Sequence, residues 1–131
     1  MIIDIDPNLL KNVTRVEEVI FRTGKAQRAC RRFIEVLKVD GSVGQCRMAR
    51  FVEGLEAEGT YSEEGFYTHI LKRLRSLGLI ELTLLRTGEK RYYPRSQPTT
   101  KKPPTPQGCL PEIIWQLCKM WNSEFWSPEE P

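Results

Sequence analysis

The sequence predicts a mainly α-helical chain with one small β-hairpin and additional N- and C-terminal helices, and three observations predict it. In Leu71-Lys72-Arg73-Leu74-Arg75-Ser76-Leu77-Gly78-Leu79-Ile80-Glu81 the apolar period changes from about 3.6 residues to about 2, as where a basic amphipathic helix stops at a glycine and a strand begins. Thr87-Gly88 follows as a hairpin signal between two strand-like runs. Upstream, apolar residues recur at three- and four-residue steps in two further stretches, 25–39 and 45–58.

From the N-terminus, Asp6-Pro7 has the form of a helix opening, and Thr14-Arg15-Val16-Glu17 has the spacing of a capping box. Two short helices, or one bent one, are expected over about 7–22. After Gly24, the residues Ala26, Ala29, Cys30, Phe33, Ile34 and Leu37 mark a helix over 25–39 that Asp40-Gly41 ends. Val43 to Cys46 reads as a short extended segment able to pair with the later hairpin. Met48, Ala49, Phe51, Val52 and Leu55 mark the next helix, over about 45–58, with Gly59 as its terminator. Thr60 or Ser62 can cap the basic helix that follows, with Glu63 and Glu64 in its first turn where the helix dipole favours negative charge. Its apolar side holds Phe66, Tyr67, Ile70, Leu71, Leu74 and Leu77. Residues 79–86 and 89–94 supply the hairpin strands across Thr87-Gly88, and alternation places one of Tyr92 and Tyr93 in the core and the other outside.

Between Ser96 and Gln107 there are four prolines, three threonines and two lysines but no large apolar side chain, which is linker composition. Pro111 opens a last helix with Ile113, Ile114, Leu117, Cys118 and Trp121 at helical spacing. The expected organisation is a helical extension (1–24), a domain of helices and hairpin (25–95), a proline-rich linker (96–109) and an amphipathic helix with a tail (110–131).

At 131 residues, 40% hydrophobic and 28% charged, the chain suits one globular domain with appendages. No apolar run approaches the roughly 18 residues of a membrane span, and Met1-Ile2-Ile3-Asp4-Ile5-Asp6 lacks a basic secretory leader, which makes a cytoplasmic, intracellular protein the expectation. The four cysteines, Cys30, Cys46, Cys109 and Cys118, have no paired short spacing, so neither a metal site nor a disulfide framework is expected. No glycine-rich phosphate loop or cofactor motif is present, and the sole histidine, His69, has no nucleophile or orienting carboxylate near it in sequence, so no catalysis and no cofactor are expected. The net charge of +3 is unevenly spread: residues 25–109 carry +7, which acidic ends of −1 (1–24) and −3 (110–131) reduce.

Helix, short strand, helix, turn, basic helix and hairpin over about 25–95 resemble, in that order, the winged helix-turn-helix DNA-binding superfamily. Leu71, Lys72, Arg73, Leu74, Leu77, Gly78, Leu79 and Ile80 match the way many of its regulators finish the recognition helix. The turn Glu58-Gly59-Thr60-Tyr61-Ser62 is longer than that of the simplest motif.

What the resemblance implies is a helix from Ser62 to Leu77 lying in the major groove of double-stranded DNA. Gly65, Thr68, His69 and Lys72 then face the bases, and Arg73 and Arg75 reach phosphates from its flanks. Lys72 can donate to guanine O6 and N7 or to phosphate, and Thr68 can bond either way or touch a thymine methyl. On the wing, Arg86, Lys90, Arg91 and Arg95 suit phosphates or the minor groove. Lys25, Arg28 and Arg32, on one side of the first core helix, are candidate backbone contacts; a solvated face, or ion pairs of that helix with Glu35 and the acidic ends, is the plainer reading. Such regulators commonly dimerise through helices outside the core, which here points to a homodimer through 7–22 and Ile113, Ile114, Leu117 and Trp121; packing of that stripe on its own domain competes with this. The expected function is sequence-specific DNA binding by a transcriptional regulator. Glu63 and Glu64 repel a polyanion and, with the tryptophan-bearing tail, also suit a protein-interaction module in a larger assembly. The same basic residues would serve the DNA-binding part of a replication or mobile-element protein.

Overall fold

The computed structural model describes residues 15–97 and 110–126, and of 110–112 the backbone alone. In chain order the elements are α1 (Val16–Ile20), α2 (Gly24–Asp40), β1 (Val43–Gly44), α3 (Gln45–Ala57), a continuous helix α4 made of Glu63–Gly65, Phe66–Leu71 and Lys72–Ser76, then β2 (Ile80–Leu84), β3 (Lys90–Pro94) and α5 (Leu110–Phe125). The molecule is mainly helical with one small antiparallel sheet of order β1-β3-β2.

The helix over 7–22 is seen as α1 alone; residues 7–14, with Thr14 of the expected capping box, lie outside the described residues. The cap falls one residue later than the sequence spacing predicts. Arg15 precedes the helix, and its backbone N–H donates to the Glu18 carboxylate at 3.0 Å. Glu17, expected in that role, turns inward instead to accept from Arg31 of α2 at 2.9 and 2.5 Å. Gly24 does not separate α1 from α2 but begins α2, behind a Thr23 hydroxyl that accepts from Ala26 N at 3.2 Å.

Phenylalanines from α2, α3 and α4 meet at the centre. Phe33, Phe51 and Phe66 have ring centroids 5.3 to 5.8 Å apart at tilted or edge-on angles, the arrangement favoured by ring quadrupoles. Around them the apolar stripes read from the sequence are buried nearly in full: Ala26, Ala29, Cys30, Ile34 and Leu37 on α2, Met48, Val52 and Leu55 on α3, Ile70, Leu71 and Leu74 on α4. Ala49, counted with the α3 stripe, is exposed.

The sheet pairs Val43 with Tyr92 on one edge of β3 and Ile80 through Leu84 with Pro94 through Lys90 on the other. The hairpin turn is longer than the two residues expected. Leu85 N–H donates to Glu89 O at 2.8 Å, leaving Arg86, Thr87 and Gly88 as a three-residue loop with Gly88 at φ 87°, where glycine is free of the Cβ clash.

α5 packs against α1 and α2, and its Ile113, Leu117 and Trp121 belong to the same hydrophobic cluster as the other helices. Polar bonds fix its end. The indole N–H of Trp121 donates to Arg95 O at 3.0 Å, and Gln97 and Asn122 exchange backbone–side-chain bonds of 2.8 Å in both directions. Arg31 ties three helices together by bonding Glu17 of α1, Glu35 of its own helix and Glu124 of α5. Hydrogen bonding from Arg31, above all, holds the Glu124 carboxyl below the usual carboxylate range.

Tyr92 and Tyr93 do not divide into one buried and one exposed; both are half-buried. Tyr92 packs toward the core, and Tyr93, on the other sheet face, borders a cavity shared with Phe125 and Trp126. The end of α5 covers a face that a free-standing hairpin would leave to water.

No helix among the described residues is long and apolar enough to cross a membrane. Cys30, Cys46 and Cys118 are free thiols, and burial pushes the Cys30 thiol strongly upward; Cys109 and the linker residues 98–109 lie outside the described residues. No group of three or more metal-ligating side chains converges among the described residues.

Candidate nucleic-acid interface

α4 begins where Ser62 Oγ accepts from Gly65 N at 3.0 Å, with Glu63 and Glu64 in the favourable first turn. It ends in a Schellman arrangement in which Gly78, at φ 74°, lets Leu79 N–H donate to Leu74 O and Gly78 N–H to Arg75 O, both at 3.0 Å. Between these ends Phe66–Leu71 is π-helical, and Lys72 N–H reaches back five residues to Tyr67 O.

Gly65, in the first turn of α4 ahead of the π segment, lines neither groove beside this helix. It is buried, and a Cβ there would lie 2.7 Å from Ser62 Oγ and 2.9 Å from Tyr61 Cε2. Its role is to let the capping turn close, which corrects the expectation that it approaches bases.

Beyond that turn the exposed side of α4 forms a crest. Thr68, Lys72 and Ser76, each four residues from the next, border two grooves at once. The first groove, of about 440 Å³, runs between the crest and Phe21 and takes in His69, Arg73 and Leu77. The second, of about 790 Å³, runs between the crest and the hairpin and takes in Tyr67, Arg75, Tyr92 and Arg95. Burial, first, and then Tyr92 and Glu63 push the Tyr67 hydroxyl upward, so at neutral pH it is an un-ionised donor in the second groove. The Thr68 hydroxyl donates to Glu64 O at 2.9 Å and keeps its oxygen as an acceptor.

The basic residues divide into those with carboxylate partners and those without. Arg32 is held by Glu58 at the end of α3. Arg91 is bound to Glu89 at 2.8 Å and to Ser42 Oγ at 2.9 Å, on the sheet face opposite the crest groove. Arg91 was expected to face DNA and is instead tied down, because ladder alternation turns it away; Arg32, a possible backbone contact for which an ion pair was the plainer reading, makes an exposed pair with Glu58 at the C-cap of α3. Arg95 lines the second groove and lies 3.7 Å from Glu81, an exposed and therefore weak pair.

Lys72, Arg73, Arg75 and His69 have no carboxylate partner among the described residues. Arg86 and Lys90, also unpaired there, are exposed at the hairpin tip, outside both grooves. Lys25 and Arg28 are exposed on α2, and the groove that Arg28 lines contains no α4 residue. The structure thus does not bring the α2 cations to the crest.

The dimerisation stripe is also corrected. Ile113, Leu117 and Trp121 are 3%, 4% and 0% exposed within their own chain, and Ile114 alone of the four faces outward.

Sequence reasoning missed Ser76, Tyr67, Tyr92 and Phe21 as groove residues. Ser76 was legible as the next four-residue step after Thr68 and Lys72. Phe21 carries no such signal, because it reaches α4 across 47 residues of chain. Comparisons with protein-family models, curated proteins and solved structures find no match for this chain.

Proposed function

We propose that the chain is a winged helix-turn-helix protein that binds double-stranded DNA sequence-specifically through the crest of α4, and that it regulates transcription. The observation that carries this reading is the pattern of partners. Arg31, Arg32, Lys38, Arg47 and Arg91 hold carboxylates, while Lys72, Arg73 and Arg75, gathered on the second half of α4, hold none among the described residues; Lys25, Arg28 and Arg50 also hold none but stand on α2 and α3. Cations left unmatched along one ridge supply the non-specific attraction to a polyanion.

On this reading the ridge lies in the major groove. Thr68, Lys72 and Ser76 present a hydroxyl, an ammonium and a hydroxyl to base edges; Arg73 on one side and Arg75 with Arg95 on the other are set to take the flanking phosphates. Glu63 and Glu64 confine contact to the second half of the helix, from Thr68 onward. Arg86 and Lys90 at the hairpin tip extend the basic surface past the helix.

Fluorescence anisotropy with a labelled random 25-base-pair duplex tests the reading. Binding at about 50 mM salt that weakens steeply as salt rises is expected. Absence of binding at that salt, with the fold intact by circular dichroism, would overturn it. Selection from a random library then separates sequence-specific from purely electrostatic binding.

A further inference from the structure

Four arginines of the described residues are half-buried, Arg31, Arg47, Arg73 and Arg91. Three of them hold carboxylates. Arg73 differs: its guanidinium lies 5.8 Å from the centroid of the Phe21 ring, and no acceptor among the described residues takes its N–H groups. A cation–π contact draws on the charge and leaves the donors unspent. Phe21 and Leu77 give the groove beside Arg73 an apolar floor, Lys72 and His69 stand at its rim, and no carboxylate among the described residues lines it. Its volume of about 440 Å³ is within the range of small-molecule sites.

We infer that this groove binds a small organic anion with a flat apolar body, of the aromatic carboxylate class, and that the bound anion competes with DNA. The body lies on Phe21 and Leu77, and the carboxylate accepts from Arg73 and Lys72. A bare phosphate would leave the apolar floor uncovered, and a neutral ring would leave the guanidinium unmatched. Competition follows from shared residues, since Thr68, Lys72 and Ser76 border the groove and also form the crest. The binding half of this inference is independent of the DNA reading; the competition half rests on it.

The test titrates the full chain with 2-naphthoate, neutral 2-naphthamide and inorganic phosphate, followed by heteronuclear NMR. Expected is saturable naphthoate binding with a dissociation constant of about 1 mM or below, shifts centred on Phe21, Arg73 and Leu77, and about tenfold weaker binding of the other two probes. Arg73→Gln, which leaves the ring contact surface and the fold in place, should weaken naphthoate by about tenfold and naphthamide little. Phe21→Leu, which keeps an apolar side chain in the core, should weaken naphthoate while phosphate is unchanged. No saturable shift by 10 mM, equal binding of the amide, equal binding of phosphate, or shifts elsewhere on the molecule each overturn the site. Naphthoate at saturation should also raise the apparent dissociation constant for duplex at least fivefold. Duplex binding that naphthoate leaves unchanged overturns the competition alone. Absence of duplex binding without naphthoate overturns the DNA reading and the competition with it, while the titration still decides the site.

Discussion

Lys72 is the one cation that borders both grooves of α4, so its loss should be felt in binding and not in folding. Lys72→Ala is expected to weaken duplex binding by about 1–3 kcal/mol in anisotropy titrations, with urea unfolding unchanged within about 0.5 kcal/mol. Gly65→Ala should behave oppositely. The added methyl meets Ser62 Oγ at 2.7 Å and the Tyr61 ring at 2.9 Å, so either the cap or the ring must move; a loss of about 1–3 kcal/mol in urea unfolding is the expected outcome. A third residue gives a pH signature. Glu124 has its folded-state pKa depressed below the ordinary 4.5, chiefly by hydrogen bonds from Arg31. Its contribution is therefore present above the unfolded value and is lost as pH falls through the folded one. Thermal melts should show stability flat from neutrality to about pH 5 and falling below about 4.5, with a shallower fall in Glu124→Gln. Of these residues, the exposed helical position of Lys72 was legible from spacing; the interior position of Gly65 was not, because it depends on how Tyr61 and the Ser62 cap close over it.

At the scale of elements, helix ends were the most legible feature, since caps and glycine stops are local chemistry. Ser62, Gly41, Gly59 and Gly78 each act at a boundary as read, while the Thr23 cap of α2 was not read. The hairpin was legible as an element and misread in its turn, because Thr87-Gly88 is compatible with a two-residue loop and with the three-residue loop that Gly88 in fact closes. Alternation puts Arg91 and Tyr92 on opposite faces of β3, but which face met α4 depended on packing. α4 and the hairpin tip together give a quantitative expectation. If Arg73, Arg75, Arg86, Lys90 and Arg95 meet phosphates, log affinity should fall against log salt with a slope of about −4.5, or roughly 500-fold between 50 and 200 mM. Arg86→Ala with Lys90→Ala should reduce that slope by about 2, without the loss of sequence preference that Lys72→Ala brings. A slope unchanged by the double substitution would remove the hairpin from the interface.

For the whole molecule, the decisive feature is that the C-terminal helix closes the core that α1 and α2 leave open. Trp121, fully buried and bonded to Arg95 O, is its anchor. Trp121→Ala should cost about 3–5 kcal/mol of unfolding free energy by chemical denaturation. Because Ile113, Leu117 and Trp121 are buried within their own chain, sedimentation at about 100 μM is expected to give the mass of a single chain; the mass of two chains would mean that a dimer forms through other residues. The sequence by itself determined the helices, the hairpin, the apolar stripes and the basic charge of α4, because each follows from local periodicity and local charge. Only the tertiary structure decided which stripe meets which, that α5 folds back onto its own chain, that Arg91 is tied down, and that Phe21 stands beside Arg73. Those outcomes depend on contacts between residues far apart in the chain, where burial energy depends on shape and distance, and neither is encoded in the spacing of residues along one helix or strand.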